Sequence, residues 1–161
     1  MTRILAICIV ALAGCGSAPP AVQTQSYEVR LLGAHAGQLS ALLMDVKDVS
    51  VTLDGKALEV KPGQRNIDLA RENQAWLLGS FRAPEGTSTI HVAIQLDDFG
   101  GYESAGDAGF VDGRYARVEL DAPRAWLAGH GSATVELDAS RSLVGVSDGV
   151  RRMVPQVRVL Y

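Results

Sequence analysis

The stretch Val49-Ser50-Val51-Thr52-Leu53-Asp54-Gly55-Lys56-Ala57-Leu58-Glu59-Val60 carries the pattern that decides the fold. Val49, Val51 and Leu53 alternate with Ser50 and Thr52, so a pleated strand sets the three apolar side chains on one face and the hydroxyls on the other. Asp54-Gly55 then falls where a two-residue loop belongs. Both residue types tolerate the positive φ of a type I′ turn, and that turn matches the twist of the strands it joins. The stretch predicts a β-hairpin between residues 49–53 and 56–60.

The same alternation recurs outward along the chain. Tyr27, Val29 and Leu31 alternate with Glu28 and Arg30. Ile90, Val92, Ile94 and Leu96 alternate with His91, Ala93 and Gln95. Val118 and Leu120 flank Glu119, Val135 and Leu137 flank Glu136, and Val157 and Val159 flank Arg158. Asp112-Gly113 predicts a further hairpin, between residues 109–111 and 114–120. Helical signal is weak. Residues 68–79 accommodate one short helix or turn, with Leu69, Trp76 and Leu77 packing inward. Residues 121–129, with Pro123 and Trp126, read as irregular structure. Both tryptophans are expected in the core or at its edge. Seven or more short strands with regular turns predict an all-β fold: an antiparallel β-sandwich, immunoglobulin-like or transthyretin-like, with at most one short helix. Strand order stays open, because alternation does not fix topology.

The start of the chain follows a different rule. Arg3 precedes the apolar run Ile4-Leu5-Ala6-Ile7-Cys8-Ile9-Val10-Ala11-Leu12-Ala13. That run is too short for a membrane-spanning helix, which needs ~20 residues, and has the length of a signal-peptide core. Leu12-Ala13-Gly14-Cys15 resembles the lipobox of bacterial lipoprotein precursors. The resemblance implies cleavage between Gly14 and Cys15, with diacylglycerol on the Cys15 thiol and acylation of its amine. Two acyl chains give stable anchoring where one does not, so the expected partner is the lipid bilayer. Gly16 stands where an Asp would resemble an inner-membrane retention signal, which points to the outer membrane if the envelope is Gram-negative. Residues 15–25 then comprise the lipidated cysteine and a flexible, uncharged tether containing Pro19-Pro20. Residues 26–161 form one β-sandwich domain.

Composition narrows the function. The full chain has 15 basic and 18 acidic side chains, a formal charge of −3. Loss of Arg3 with the signal makes it more acidic by one. A mixed, mildly acidic surface excludes a nucleic-acid partner, which requires a basic stripe. Of the two cysteines, Cys8 leaves with the signal and Cys15 takes lipid. That leaves neither a disulfide nor a cysteine nucleophile.

A second resemblance rests on Ile67-Asp68-Leu69, on Ala83-Pro84-Glu85-Gly86 leading into Thr89-Ile90-His91-Val92, on residues 135–144 (VELDASRSLV) and on Pro155-Gln156-Val157-Arg158-Val159. These look like the middle and ending of the bacterial domain-of-unknown-function family 4382. The resemblance implies a lipoprotein with a β-sandwich domain and transfers no catalytic residues. The segment Gln38-Leu39-Ser40-Ala41-Leu42-Leu43-Met44-Asp45 departs from that family's opening.

Catalytic signatures are missing from the sequence. His35, His91 and His130 follow no zinc-ligand spacing, and His91 falls on the polar face of an expected strand. There is no G-x-S-x-G elbow. Asp138 is expected to form an Asx turn at a strand end, bonding the backbone of Ser140 or Ser142. The most unusual segment is residues 97–113 (DDFGGYESAGDAGFVDG), with five carboxylates and five glycines in seventeen residues. It reads as a long hairpin loop. Asp97, Asp98, Glu103, Asp107 and Asp112 could supply oxygen ligands to calcium, although the EF-hand pattern is not met. Phe99, Tyr102 and Phe110 give the same loop a recognition role.

The sequence therefore predicts a non-enzymatic, cofactor-free envelope lipoprotein that binds a protein or glycan. Two alternatives stand beside it: a small carboxylate-based hydrolase acting on polysaccharide, and a calcium-stabilised structural module.

Overall fold

The computed structural model describes residues 23–86, 88–147 and 149–160. The expected signal, its expected cleavage site at Gly14, Cys15 and the expected tether up to residue 22 lie outside the described residues, while Thr24 and Gln25, the last residues of that expected tether, already belong to a strand. Two β-sheets pack face to face around one apolar core. In chain order the strands are β1 (Thr24–Ala34), β2 (Leu39–Leu53), β3 (Lys56–Leu58), β4 (Val60–Pro62), β5 (Asn66–Asp68), β6 (Ala75–Pro84), β7 (Thr89–Ser104), β8 (Asp107–Asp112) and β9 (Arg117–Pro123). Helix α1 (Arg124–His130), β10 (Ser132–Asp138), helix α2 (Ala139–Ser142), β11 (Leu143–Ser147), β12 (Val150–Met153) and β13 (Val157–Leu160) follow.

The first sheet has five strands in the order β13-β10-β1-β6-β4, and the second has eight, along β11-β12-β8-β7-β2-β3 with β5 on β2 and β9 on β7. Pairing is mostly antiparallel, but β1 with β10 and β8 with β12 are parallel. Parallel neighbours need long crossovers rather than tight turns, and alternation gives no sign of them.

The hairpin that decides the fold forms at the expected turn but is shorter than read: only Lys56–Leu58 pair back on β2, and Val60 crosses to β6 in the other sheet. Leu53 pairs with Lys56, and Asp54 and Gly55 have φ of 51° and 75°. The strand before it is longer than its alternation suggests. Leu42, Met44 and Val46 point into the core, then Val49, Val51 and Leu53 do. The buried phase switches from even to odd across Lys47-Asp48, where the register against β7 shifts. An extra residue in one strand has this effect, and it hides β2 from a simple alternation count.

Asp112-Gly113 does not form a hairpin. Neither residue has positive φ. β8 and β9 do not pair with each other; both run antiparallel to β7, β8 along Phe99 to Ser104 and β9 along Thr89 to Gln95. Residues 113–116 make a short jog between them, held by Gly113 N–H to Asp98 O at 2.9 Å and Leu96 N–H to Ala116 O at 3.0 Å. The turn of this region lies at Ala105-Gly106, where Ser104 pairs with Asp107 and Gly106 has φ of 84°. The expected acidic loop is thus a strand pair with a two-residue turn.

The helices also differ from expectation. Residues 68–79 contain the end of β5, a turn and the start of β6. Leu69, Trp76 and Leu78 are buried there, and Leu77 is only half-buried. Residues 124–130 are helical, so among the described residues there are two short helices rather than at most one. Pro123 sets the extended residue before α1, and Gly131 closes it in the left-handed conformation, its N–H bonded to Leu127 O at 2.6 Å. That is the usual chemistry of Pro at a helix start and Gly beyond its end. Leu127 is buried against the core, whereas Trp126 is 52% exposed. Of the two tryptophans only Trp76 is a core-edge residue; its indole N–H donates to Asp68 O at 3.2 Å.

Candidate functional site

The residues singled out from the acidic segment lie on the hairpin β7–β8, and strand alternation distributes them. Asp97 accepts the backbone N–H of Asp98 at 2.6 Å. Asp98 pairs with Lys47 at 3.0 Å. Glu103 is exposed. Asp107 accepts from the Arg151 guanidinium and the Tyr102 hydroxyl, each at 3.0 Å. Asp112 is gripped by Arg114 through two bonds of 2.9 Å, with Arg152 Nε 3.6 Å away. Arg114 holds the Asp112 carboxyl well below the ordinary carboxylate range, and Arg151, followed by Tyr102, lowers that of Asp107. Three of the five acids are thus neutralised by cations from the chain itself. Among the described residues no three His, Cys, Asp or Glu side chains are grouped to hold a metal ion.

The three aromatic candidates separate. Phe99 and Phe110 are 71% and 70% exposed. Phe99 lies opposite Asp112, and Phe110 opposite Gly101. This register puts both rings on one face as diagonal neighbours, within reach of a common ligand. Gly101 between them adds no side chain. Leu43, opposite Gly101 on β2, is itself 45% exposed. Val150 of β12 lies opposite Phe110 and is half-buried. Leu43, Gly101, Phe110 and Val150 therefore form an apolar row across four strands, with Phe99 above it. A shallow groove of about 160 Å³ runs beside Phe99, between Leu43 and Asn66. Tyr102 points to the other face. It is buried, with the Arg151 guanidinium 4.2 Å above its ring, so it braces the hairpin and does not join the exposed pair.

Leu43 and Val150 were not singled out from the sequence. The signal was present in Leu42-Leu43: adjacent residues in a strand face opposite ways, so one of two neighbouring leucines must point outward. Leu42 is buried, and Leu43 is the one left in solvent.

A second concavity, about 250 Å³, lies where β10 meets α2 and is lined by His35, Glu136, Asp138, Arg141 and Arg158 among others. Asp138 caps α2 by accepting the Arg141 N–H at 3.0 Å, and accepts the Ser140 hydroxyl at the same distance. The expected Asx turn to the backbone of Ser140 or Ser142 is replaced by a helix N-cap: the backbone donor is Arg141, Ser140 contributes only its hydroxyl, and the Ser140 N–H goes to His35 O at 3.3 Å. The bonds that Asp138 accepts, the backbone one foremost, lower its pKa. His35 Nδ1 stands 3.2 Å from Asp138 on the other side. The order is Ser–Asp–His, whereas nucleophile activation requires the histidine to face the serine. Glu136 is tied to Arg158 at 2.7 Å. His91 contacts Asp121 and His130 the Trp126 carbonyl, each at 3.0 Å, so the histidines remain at three separate places.

Comparison with protein-family models, with curated proteins and with solved structures gave no match. The fold and site define a two-sheet β-sandwich carrying an exposed aromatic pair on the β7–β8 hairpin.

Proposed function

We propose that this chain is a lipid-anchored bacterial envelope protein, related to the domain-of-unknown-function family 4382, and that its sandwich binds a protein or glycan without catalysis. The Leu12-Ala13-Gly14-Cys15 motif supports the anchoring. One observation carries the binding role: Phe99 and Phe110, both about 70% exposed, share one face of a paired, well-braced hairpin. Burying a phenylalanine is worth roughly 1.5–3 kcal/mol, so two such rings beside Leu43 offer a strong apolar contact. Aromatic rings on a flat sheet suit either a protein hot spot or stacking against a sugar face. Three of the five hairpin acids are engaged by lysine and arginine, which leaves the aromatic row as the hairpin's distinctive chemistry.

Crosslinking in intact envelopes, followed by affinity capture and mass spectrometry, tests the reading. A specific protein or polysaccharide should be recovered. Recovery of none, combined with turnover of a defined substrate by the purified domain, would replace a binding module with an enzyme.

A further inference from the structure

Helix α1 presents an uncharged outward surface. Ala125, Trp126, Ala128 and Gly129 are all exposed and uncharged, while Leu127 and Arg124 turn inward. The helix is fixed firmly. It bridges the end of the sandwich from β9 in one sheet to β10 in the other. Arg124 donates to the Pro84 carbonyl and, at 2.6 Å, to the Ser88 hydroxyl. Trp126 is thus held 52% exposed on a pinned helix whose outward side chains Ala125, Trp126 and Ala128 carry no charge.

Its position relative to the chain entry suggests what covers it. Gln23, the first described residue, bonds through its carbonyl to the Glu85 N–H at 3.0 Å. Glu85 belongs to the same β6–β7 connection that Arg124 clamps. The tether thus enters the domain beside α1. Eight residue-to-residue steps lead from Cys15 to Gln23, a contour of at most ~28 Å. A bilayer holding Cys15 lies within reach of α1. Tryptophan is the side chain most suited to the membrane–water interface, where its ring is apolar and its N–H is solvated. The lack of charge on this surface matches zwitterionic headgroups rather than an electrostatic patch.

We propose that α1 rests on the bilayer surface with Trp126 seated in the headgroup region, orienting the sandwich on its lipid anchor. The inference depends on the anchoring reading above. It places the aromatic row on the far side: Phe99 lies ten residues along β7 from Thr89 at the tethered end, ~33 Å at strand rise. Docking at α1 therefore leaves Phe99 and Phe110 remote from the membrane, open to a partner.

The test uses full-length protein purified from membranes, with acylation verified by mass, in phosphatidylcholine vesicles with and without brominated lipid. Trp76, buried in the domain, is the internal control. Wild type should show a blue shift and quenching by brominated lipid, and Trp126→Phe should lose both while staying acylated and folded. Equal quenching of acylated wild type and Trp126→Phe overturns the docking and leaves anchoring intact. An emission shift that follows protein concentration without brominated-lipid quenching also overturns it, in favour of contact between copies. Absence of acylation with no vesicle binding overturns anchoring and docking together.

Discussion

Asp112 shows how a single carboxylate can organise an edge. It ends β8, accepts the Arg114 N–H at 3.3 Å, and forms a two-bond pair with the Arg114 guanidinium. The jog at 113–116 starts from these contacts. Because the folded pKa lies below the unfolded one, the unfolded chain binds the proton first as pH falls. The stability from Asp112 is therefore complete above about pH 5 and drains away below pH ~4, toward the folded pKa. Asp112→Asn should lower the melting temperature at pH 7, and its gap to wild type should narrow as pH approaches 3. A gap independent of pH would contradict the charge pairing. Gly100 makes a second residue-scale case. A Cβ there would lie 2.2 Å from Met44 Sδ and 2.5 Å from Leu43 O. Methionine can yield, but the backbone carbonyl cannot yield without disturbing the β2–β7 ladder. Gly100→Ala should cost about 1–3 kcal/mol in urea unfolding, the usual range for overpacking.

At the scale of elements, turn chemistry was legible where it acts locally. Asp54-Gly55 closes β2 onto β3 because both strands are adjacent in sequence and no other partner competes. The similar pair Asp112-Gly113 lies in a jog because β8 and β9 both find the long strand β7, a choice made between distant segments. Helix α1 has seven residues, too few for apolar periodicity to appear; only Pro123 and Gly131 mark its ends. The hairpin β7–β8 was legible in composition and illegible in form. Its glycines and acids look like a loop, yet Gly100 and Gly109 serve close approach between strands: a Cβ on Gly109 would meet Gly149 O at 2.1 Å. Of the site, Phe99 and Phe110 could be named from the sequence, but their shared face depends on the register. Since both rings are mostly solvent-exposed, Phe99→Ser with Phe110→Ser should leave the denaturation midpoint nearly unchanged, within about 0.5 kcal/mol. A large loss would make the rings structural.

For the whole molecule, the parallel β1–β10 and β8–β12 pairings bring the last third of the chain back onto strands made much earlier. The tether and α1 then share one end of the sandwich, and the β7–β8 turn lies toward the other. In the proposed reading, lipid on Cys15 is what holds this assembly at the membrane. Cys15→Ser should abolish palmitate labelling and release the protein from the membrane fraction; retention of both would contradict lipidation at that residue. The claim that the outer face of β7–β8 is the binding surface is tested most directly by crosslinking in intact envelopes, comparing wild type with the Phe99→Ser/Phe110→Ser variant at equal abundance. The account predicts a specific adduct in wild type that is lost in the variant. The same adduct at the same yield in both proteins would contradict it.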